Sequence, residues 1–189
     1  VNQYDAQAML ELFEQKGYTP CAFQEKADVY VIMTCTVTGT GDKKSLQAVR
    51  RALRNNPAAD VVIAGCLAQR DGEKLLETTG ARLVIGNARR LQVVELLEEA
   101  IKSGQRIAAV GDVLRIPYEP LTISAHEGHT RAVLKIQEGC DRYCTYCIIP
   151  YTRGPVRSAP LALAVEQAKE LAEQGYKELV VTGIEIASW

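Results

Sequence analysis

TRAVLKIQEGCDRYCTYCIIPYTRGP, residues 130–155, joins a short apolar run to three cysteines within eight residues, then to a turn rich in Pro, Arg and Gly. The run reads as a strand and the cysteines as the loop that follows it. PLALAVEQAKELAEQG (160–175) has the apolar spacing of an amphipathic helix, and YKELVVTGIE (176–185) reads as a second strand. Strand, long loop, helix and strand make one βαβ unit, too small to be a domain alone. It is expected to open a parallel barrel that continues beyond this chain.

Upstream, the pattern is a different one. NQYDAQAMLELFEQKG (2–17) sets Met9, Leu12 and Phe13 on one helical face and stops at Gly17. ADVYVIMTC (27–35) and ADVVIAGC (59–66) are apolar runs rich in Val and Ile, the pattern of strands buried on both faces. GDKKSLQAVRRALRNNP (41–57) reads as the helix between them. ARLVIGN (81–87) and ARRLQVVELLEEAIKSG (88–104) repeat the strand–helix alternation. The expected fold class is α/β: a doubly wound domain over 1–102, a connector over 103–130 and the βαβ unit over 131–189. The chain is expected to be cut at both ends, because it starts inside a helix that calls for a preceding strand and stops just after one.

Composition narrows the class. With 189 residues, 47% apolar and 24% charged, the chain reads as an ordinary soluble globular protein. No apolar run approaches a membrane span, and no secretory leader is recognisable. A net charge of −1 exerts no global pull on nucleic acid. Six cysteines without a secretory signal fit a reducing compartment and ligand duty better than disulfides.

Cys140, Cys144 and Cys147 stand at C-x3-C-x2-C spacing. Three thiolates on a tight loop can hold three irons of a 4Fe–4S cluster and leave the fourth open to chelate an amino acid. A Cys3His zinc site completed by His126 or His129 is the first rival. A fully ligated ferredoxin-type cluster would need a fourth cysteine nearby, and inert buried thiols are not expected at this density. The open cluster is the preferred reading. Cys35 and Cys66 each end an apolar strand, at the carboxyl edge where open α/β sheets bind ligands. Together they suggest a shared metal site whose third thiolate comes from the same edge. Cys21, in GYTPCAF (17–23), is read as structural.

The chain resembles the methylthiotransferases, radical S-adenosylmethionine (SAM) enzymes with two 4Fe–4S clusters, and within them the branch acting on threonylcarbamoyladenosine beside the tRNA anticodon. The matching stretches are VNQYDAQAM (1–9), ADVYVIMTCTVT (27–38), DVVIAGCLAQ (60–69), KIQEGCDRYCTYCIIPYTRGPVRS (135–158) and GYKELVVTGIEIASW (175–189). The resemblance implies a flavodoxin-like N-terminal domain followed by the first βαβ unit of a partial TIM barrel. It implies an auxiliary cluster on Cys35 and Cys66, with a third cysteine two residues before Val1; Asn2 and Asp5 match the rest of that motif. Cys140, Cys144 and Cys147 would hold the cluster that reduces SAM to a 5′-deoxyadenosyl radical, which takes hydrogen from C2 of the adenine. A second SAM would supply the methyl group. Tyr146, Gly183 and Glu185 are expected at SAM, and Arg153 and Arg157 at SAM or RNA.

The implied partners are a tRNA anticodon stem-loop and a reductant such as flavodoxin or ferredoxin, in the cytoplasm. Isopentenyladenosine in tRNA and a ribosomal-protein aspartate are the alternative targets. The rival class is a non-catalytic, metal-containing RNA-binding module. Ala159 departs from the family, which has an arginine there, as does the run TGTGDKK (38–44). Lys43, Lys44, Arg50, Arg51 and Arg54 are expected to form a solvated helix face rather than a phosphate site. HEGH (126–129) lacks the spacing of a zinc protease.

Overall fold

The computed structural model describes residues 1–36, 39–121, 123 and 130–189. Helix α1 (Asn2–Gln15) leads into strand β1 (Val29–Thr34), followed by α2 (Gly39–Asn55) and β2 (Asp60–Gly65). Next come α3 (Cys66–Thr79), β3 (Leu83–Ile85), α4 (Val93–Ser103) and β4 (Ile107–Ala109). The four strands form one parallel sheet in the order β1-β2-β3-β4. In the flavodoxin-like order 2-1-3-4-5 the first strand lies between the second and third; here β1 and β2 pair directly, from Val29↔Asp60 to Thr34↔Gly65.

Period-two alternation sorts the strand side chains between two cores. Tyr30, Ile32, Val61, Ile63 and Val84 face α2 and α3, through Val49, Ala52, Leu67 and Leu75. Val62, Ala64, Leu83 and Ile85 face α1 and α4, through Met9, Phe13, Val93 and Leu97. Side chains such as Leu83 and Leu97 are fully buried, a gain of roughly 1.5–3 kcal/mol each over exposure. Helices on both faces explain why the strands read as continuous apolar runs rather than alternating ones.

The connector expected over 103–130 gives its first residues to this sheet, since β4 pairs with β3 from Leu83↔Ile107 to Ile85↔Ala109. Three residues are too short a run to show a period, which is why the sequence left them outside the domain. Leu121 and Ile123 then pack with Tyr4 and Ala8 of α1, against Val133.

The second unit contains β5 (Ala132–Lys135), a two-residue β6 (Gln137–Glu138), a short α5 (Ile149–Arg153) and a two-residue β7 (Arg157–Ser158). Helix α6 (Leu161–Glu173) and β8 (Leu179–Thr182) complete it. β5 and β8 pair in parallel with α6 between them, the expected βαβ unit, and β6 pairs with β7 antiparallel. Among the described residues, no helix is long and apolar enough to cross a membrane.

Candidate metal and cofactor centre

The cysteine loop leaves β6 through Gly139, whose φ of 77° is open to glycine at little cost. A Cβ at this position would lie 1.8 Å from the Pro155 carbonyl oxygen. That close approach lets the Cys140 N–H donate to the Gly154 carbonyl at 3.1 Å, closing the loop at its base. Inside it, the Cys147 N–H donates to the Cys144 carbonyl at 2.9 Å, and the rings of Tyr143 and Tyr151 meet edge to face at 5.7 Å. All three cysteines are free thiols; Cys140 and Cys147 are half-buried and Cys144 is exposed. In type and number these donors fit a thiolate-ligated iron cluster. Among the described residues, no three His, Cys, Asp or Glu groups converge as a metal site. His126 and His129 lie outside the described residues.

The second set of thiols stands at the carboxyl edge of the larger sheet. Thr34 is paired with Gly65, so Cys35 and Cys66 follow the ends of neighbouring strands. Cys35 is half-buried and Cys66 is buried at the start of α3. Thr34 Oγ1 donates to the Ala64 carbonyl at 2.7 Å and accepts from the Leu67 N–H at 3.2 Å, doing for α3 what an N-cap side chain would do. Asn87, just past β3 and fully buried, brings its Nδ2 to 3.6 Å from Cys66 Sγ and donates to the Thr152 carbonyl at 2.7 Å. Thr152 belongs to α5, which begins two residues after Cys147. The five-residue helix that follows the first cysteine set in sequence therefore rests, through Asn87, on the sheet edge that carries the second.

Beneath α5 lies a buried charge network that the sequence reading did not anticipate. Arg90 is fully buried and reaches three carboxylates: Asp5 at 2.8 Å, Glu119 at 2.7 Å and Glu138 at 2.6 Å. Lys135 Nζ lies 2.5 Å from Asp5 Oδ1, and Arg153 Nη1 lies 2.8 Å from Glu138 and 3.2 Å from Asp5. Arg153 Nη2 also donates to Asn2 Oδ1. Burial by itself pushes the Asp5 and Glu138 carboxyls up, but Arg90, Lys135 and Arg153 outweigh it and hold both below the usual carboxylate range. For Arg153, burial acts downward, while Asp5, Cys66 and Glu138 together raise it. A lysine inside the apolar run AVLKI was the one local hint of this network.

The remaining expected site residues divide. Tyr146 is 90% exposed on the cysteine loop. Gly183 and Glu185 follow β8, and Glu185 accepts from Arg142 Nε of the cysteine loop at 3.4 Å. Arg153 and Arg157, expected to face a ligand, are buried and turned inward, Arg153 toward Asp5 and Glu138 and Arg157 toward Glu138. Arg157 Nη1 donates to the Val113 carbonyl at 2.8 Å, and its Nη2 lies 3.8 Å from Glu138. Burial lowers the Arg157 guanidinium from its ordinary value.

Cys21 is not packed in a core. It is exposed, on the wall of a groove of about 760 Å³ between α1 and the edge of β1. The basic residues of α2 are exposed, as expected of a solvated face. Ala159 is buried, with its N–H donating to the Ile136 carbonyl and its own carbonyl accepting from Trp189 Nε1.

The molecule thus joins a three-layered parallel α/β domain, with two thiols at its carboxyl sheet edge, to a strand, a three-cysteine loop, a helix and a parallel strand. The model described as "Uncharacterized protein family UPF0004" matches residues 1–86, and that of the radical SAM superfamily matches 134–188. A threonylcarbamoyladenosine tRNA methylthiotransferase of Bacillus subtilis is 43% identical over 97% of this chain and 41% of its own length. The protein of that name from Aquifex aeolicus is 42% identical over 100% of this chain and 46% of its own. A tRNA-2-methylthio-N(6)-dimethylallyladenosine synthase of Thermotoga petrophila is 37% identical over 97% and 41%.

The chain thus spans less than half the length of the curated relatives it matches. Among solved structures, the radical S-adenosylmethionine methyltransferase TsrM of Kitasatospora setae has the same fold, with a TM-score of 0.64, 15% identity and coverage of 99% of this chain and 46% of that one. Over nearly its whole length the chain is thus similar to part of tRNA methylthiotransferases, with the radical SAM match confined to 134–188. The radical SAM match implies a 4Fe–4S cluster and SAM as cofactors.

Proposed function

We propose that this chain is the N-terminal part of an enzyme that inserts sulfur and a methyl group at C2 of N6-threonylcarbamoyladenosine, next to the anticodon of tRNA. The observation that carries the reading is the likeness, over nearly the whole chain, to two proteins named for that activity. The contact of α5, the helix that follows the three-cysteine loop, with Asn87 beside Cys66 supports it, since sulfur insertion needs a sulfur source near the site of hydrogen removal.

In this reading Cys140, Cys144 and Cys147 hold the SAM-binding cluster. Cys35 and Cys66, with a cysteine from an upstream strand, hold the auxiliary one. When bound, cluster and SAM supply the one-electron chemistry that breaks an unactivated C–H bond. The chain's own residues bind and orient. Tyr146 covers SAM, Gly183 and Glu185 receive its amino end, and Asn87 and Arg153 line the auxiliary site. The barrel continues beyond Trp189, tRNA is the macromolecular partner, a flavodoxin or ferredoxin is the reductant, and the enzyme works in the cytoplasm.

Mass spectrometry of tRNA nucleosides from a strain lacking the full-length gene tests the substrate. Loss of the 2-methylthio form of threonylcarbamoyladenosine alone is the expected result. Loss of the dimethylallyladenosine derivative instead, the target named for the Thermotoga relative, would overturn the assignment.

A further inference from the structure

Gln137 is fully buried and makes four hydrogen bonds, the full complement of a primary amide. Its Nε2 donates to the carbonyls of Glu138 at 3.0 Å and Gly139 at 2.8 Å. Its Oε1 accepts the backbone N–H groups of Ile184 and Glu185, both at 2.7 Å. Only one orientation of the amide satisfies this set, because a flip would face Nε2 with two donors and Oε1 with two carbonyls. The two carbonyls immediately precede Cys140. The two N–H groups belong to the loop that follows β8.

The local fold explains why a side chain is needed here. The ladder between the two strands ends with the Ile136 N–H donating to the Thr182 carbonyl at 3.0 Å. Past that point the chain turns away at Gly183, and the next two N–H groups have no strand opposite them. Left unpaired in a half-buried place, each would cost roughly 1–3 kcal/mol. Gln137 takes both. The approach is so close that a Cβ on Gly183 would lie 2.7 Å from Gln137 Oε1 and 2.8 Å from its Cβ. A second link between the two loops, Arg142 to Glu185, is a more exposed contact at 3.4 Å and fixes little.

We propose that Gln137 is a positioning residue for SAM, a single buried amide that holds the cysteine loop and the Gly183–Glu185 loop at a fixed separation. The inference rests on the functional reading above, in which the first loop holds the cluster and the second receives the amino end of SAM. A ligand chelated to the cluster and hydrogen-bonded to the second loop must span both. Its affinity therefore depends on the separation that Gln137 sets.

Two variants test this. Gln137→Glu keeps the volume and the acceptor but opposes an oxygen to the two carbonyls, and Gln137→Met removes every hydrogen bond. In the full-length enzyme, both should retain the iron of the cysteine loop, bind SAM at least tenfold more weakly, and lose the SAM-induced change in the EPR spectrum of the reduced cluster. In the chain without cofactors, amide hydrogen exchange at Ile184 and Glu185 should quicken at least tenfold in Gln137→Met, with protection of β5 and β8 retained. If Gln137→Met does not fold, the isosteric Gln137→Glu carries both measurements. Unchanged SAM affinity together with unchanged exchange in a folded variant overturns the proposal. A wild-type enzyme that holds cluster but no SAM would refute the functional reading instead, and the exchange result would still decide whether Gln137 joins the two loops.

Discussion

Replacing Asp5 by Asn should destabilise the protein more than an exposed-charge change would, for a reason visible in its partners. One oxygen of Asp5 takes Lys135 Nζ at 2.5 Å, and the other takes Arg90 at 2.8 Å and Arg153 at 3.2 Å. Asp5, Arg90 and Lys135 have fully buried side chains, and Arg153 is 2% exposed. Asparagine keeps the shape but turns one of those oxygens into a donor that faces a cation, and it removes the negative charge. Three basic groups then depend on Glu138 and Glu119 alone. Breaking a buried pair from one side costs about 3–5 kcal/mol, a large share of the roughly 5–15 kcal/mol that holds a domain folded. With a urea m-value of about 2 kcal/mol/M, the midpoint should fall by about 1.5–2.5 M at unchanged slope.

Adding Lys135→Met, which keeps the stem and removes the ammonium, should recover part of this loss. The double variant should be more stable than the sum of the singles by about 1–3 kcal/mol. Equilibrium urea unfolding followed by circular dichroism measures all three proteins. A loss under about 1 kcal/mol for Asp5→Asn, or strict additivity with Lys135→Met, would refute the argument that these charges form one buried unit.

Acid should act through the same groups. Because Asp5 and Glu138 titrate below the usual carboxylate range, their contribution is present at neutral pH and lost as pH falls through their folded values. The melting temperature should drop steeply below roughly pH 4, and Asp5→Asn should flatten that drop; equal acid slopes for the two proteins would count against it. Gly139→Ala should cost more than about 2 kcal/mol and make the Cys140 thiol react faster with a disulfide reagent, since a Cβ cannot sit 1.8 Å from the Pro155 carbonyl. Wild-type stability in that variant would mean the loop base can shift freely. In the full-length enzyme, Cys35→Ala and Cys66→Ala should stop methylthiolation yet leave 5′-deoxyadenosine formation, while Cys21→Ala, at an exposed position, should alter neither. A methylthio product from folded Cys35→Ala, or its loss in folded Cys21→Ala, would break this division of the cysteines.

Much of the fold was legible because its determinants are local. Met9 and Phe13 recur at helical spacing and meet the sheet as expected, and the runs ending at Thr34 and Gly65 form neighbouring strands that leave Cys35 and Cys66 at one edge. The three-cysteine loop and its flanking strand and helix were equally plain, because a ligand motif is a spacing along the chain. What tertiary structure alone decided is which distant groups share an interior. Arg153 and Asp5 are 148 residues apart, and Lys135 and Asp5 are 130 apart. Nothing periodic marks them, since a charged side chain carries the same local signature whether it is solvated or paired. Their pairing follows only when packing excludes water and leaves each charge no partner but the others. The same holds for Gln137, whose four bonds join the base of the cysteine loop to a loop 47 and 48 residues further on.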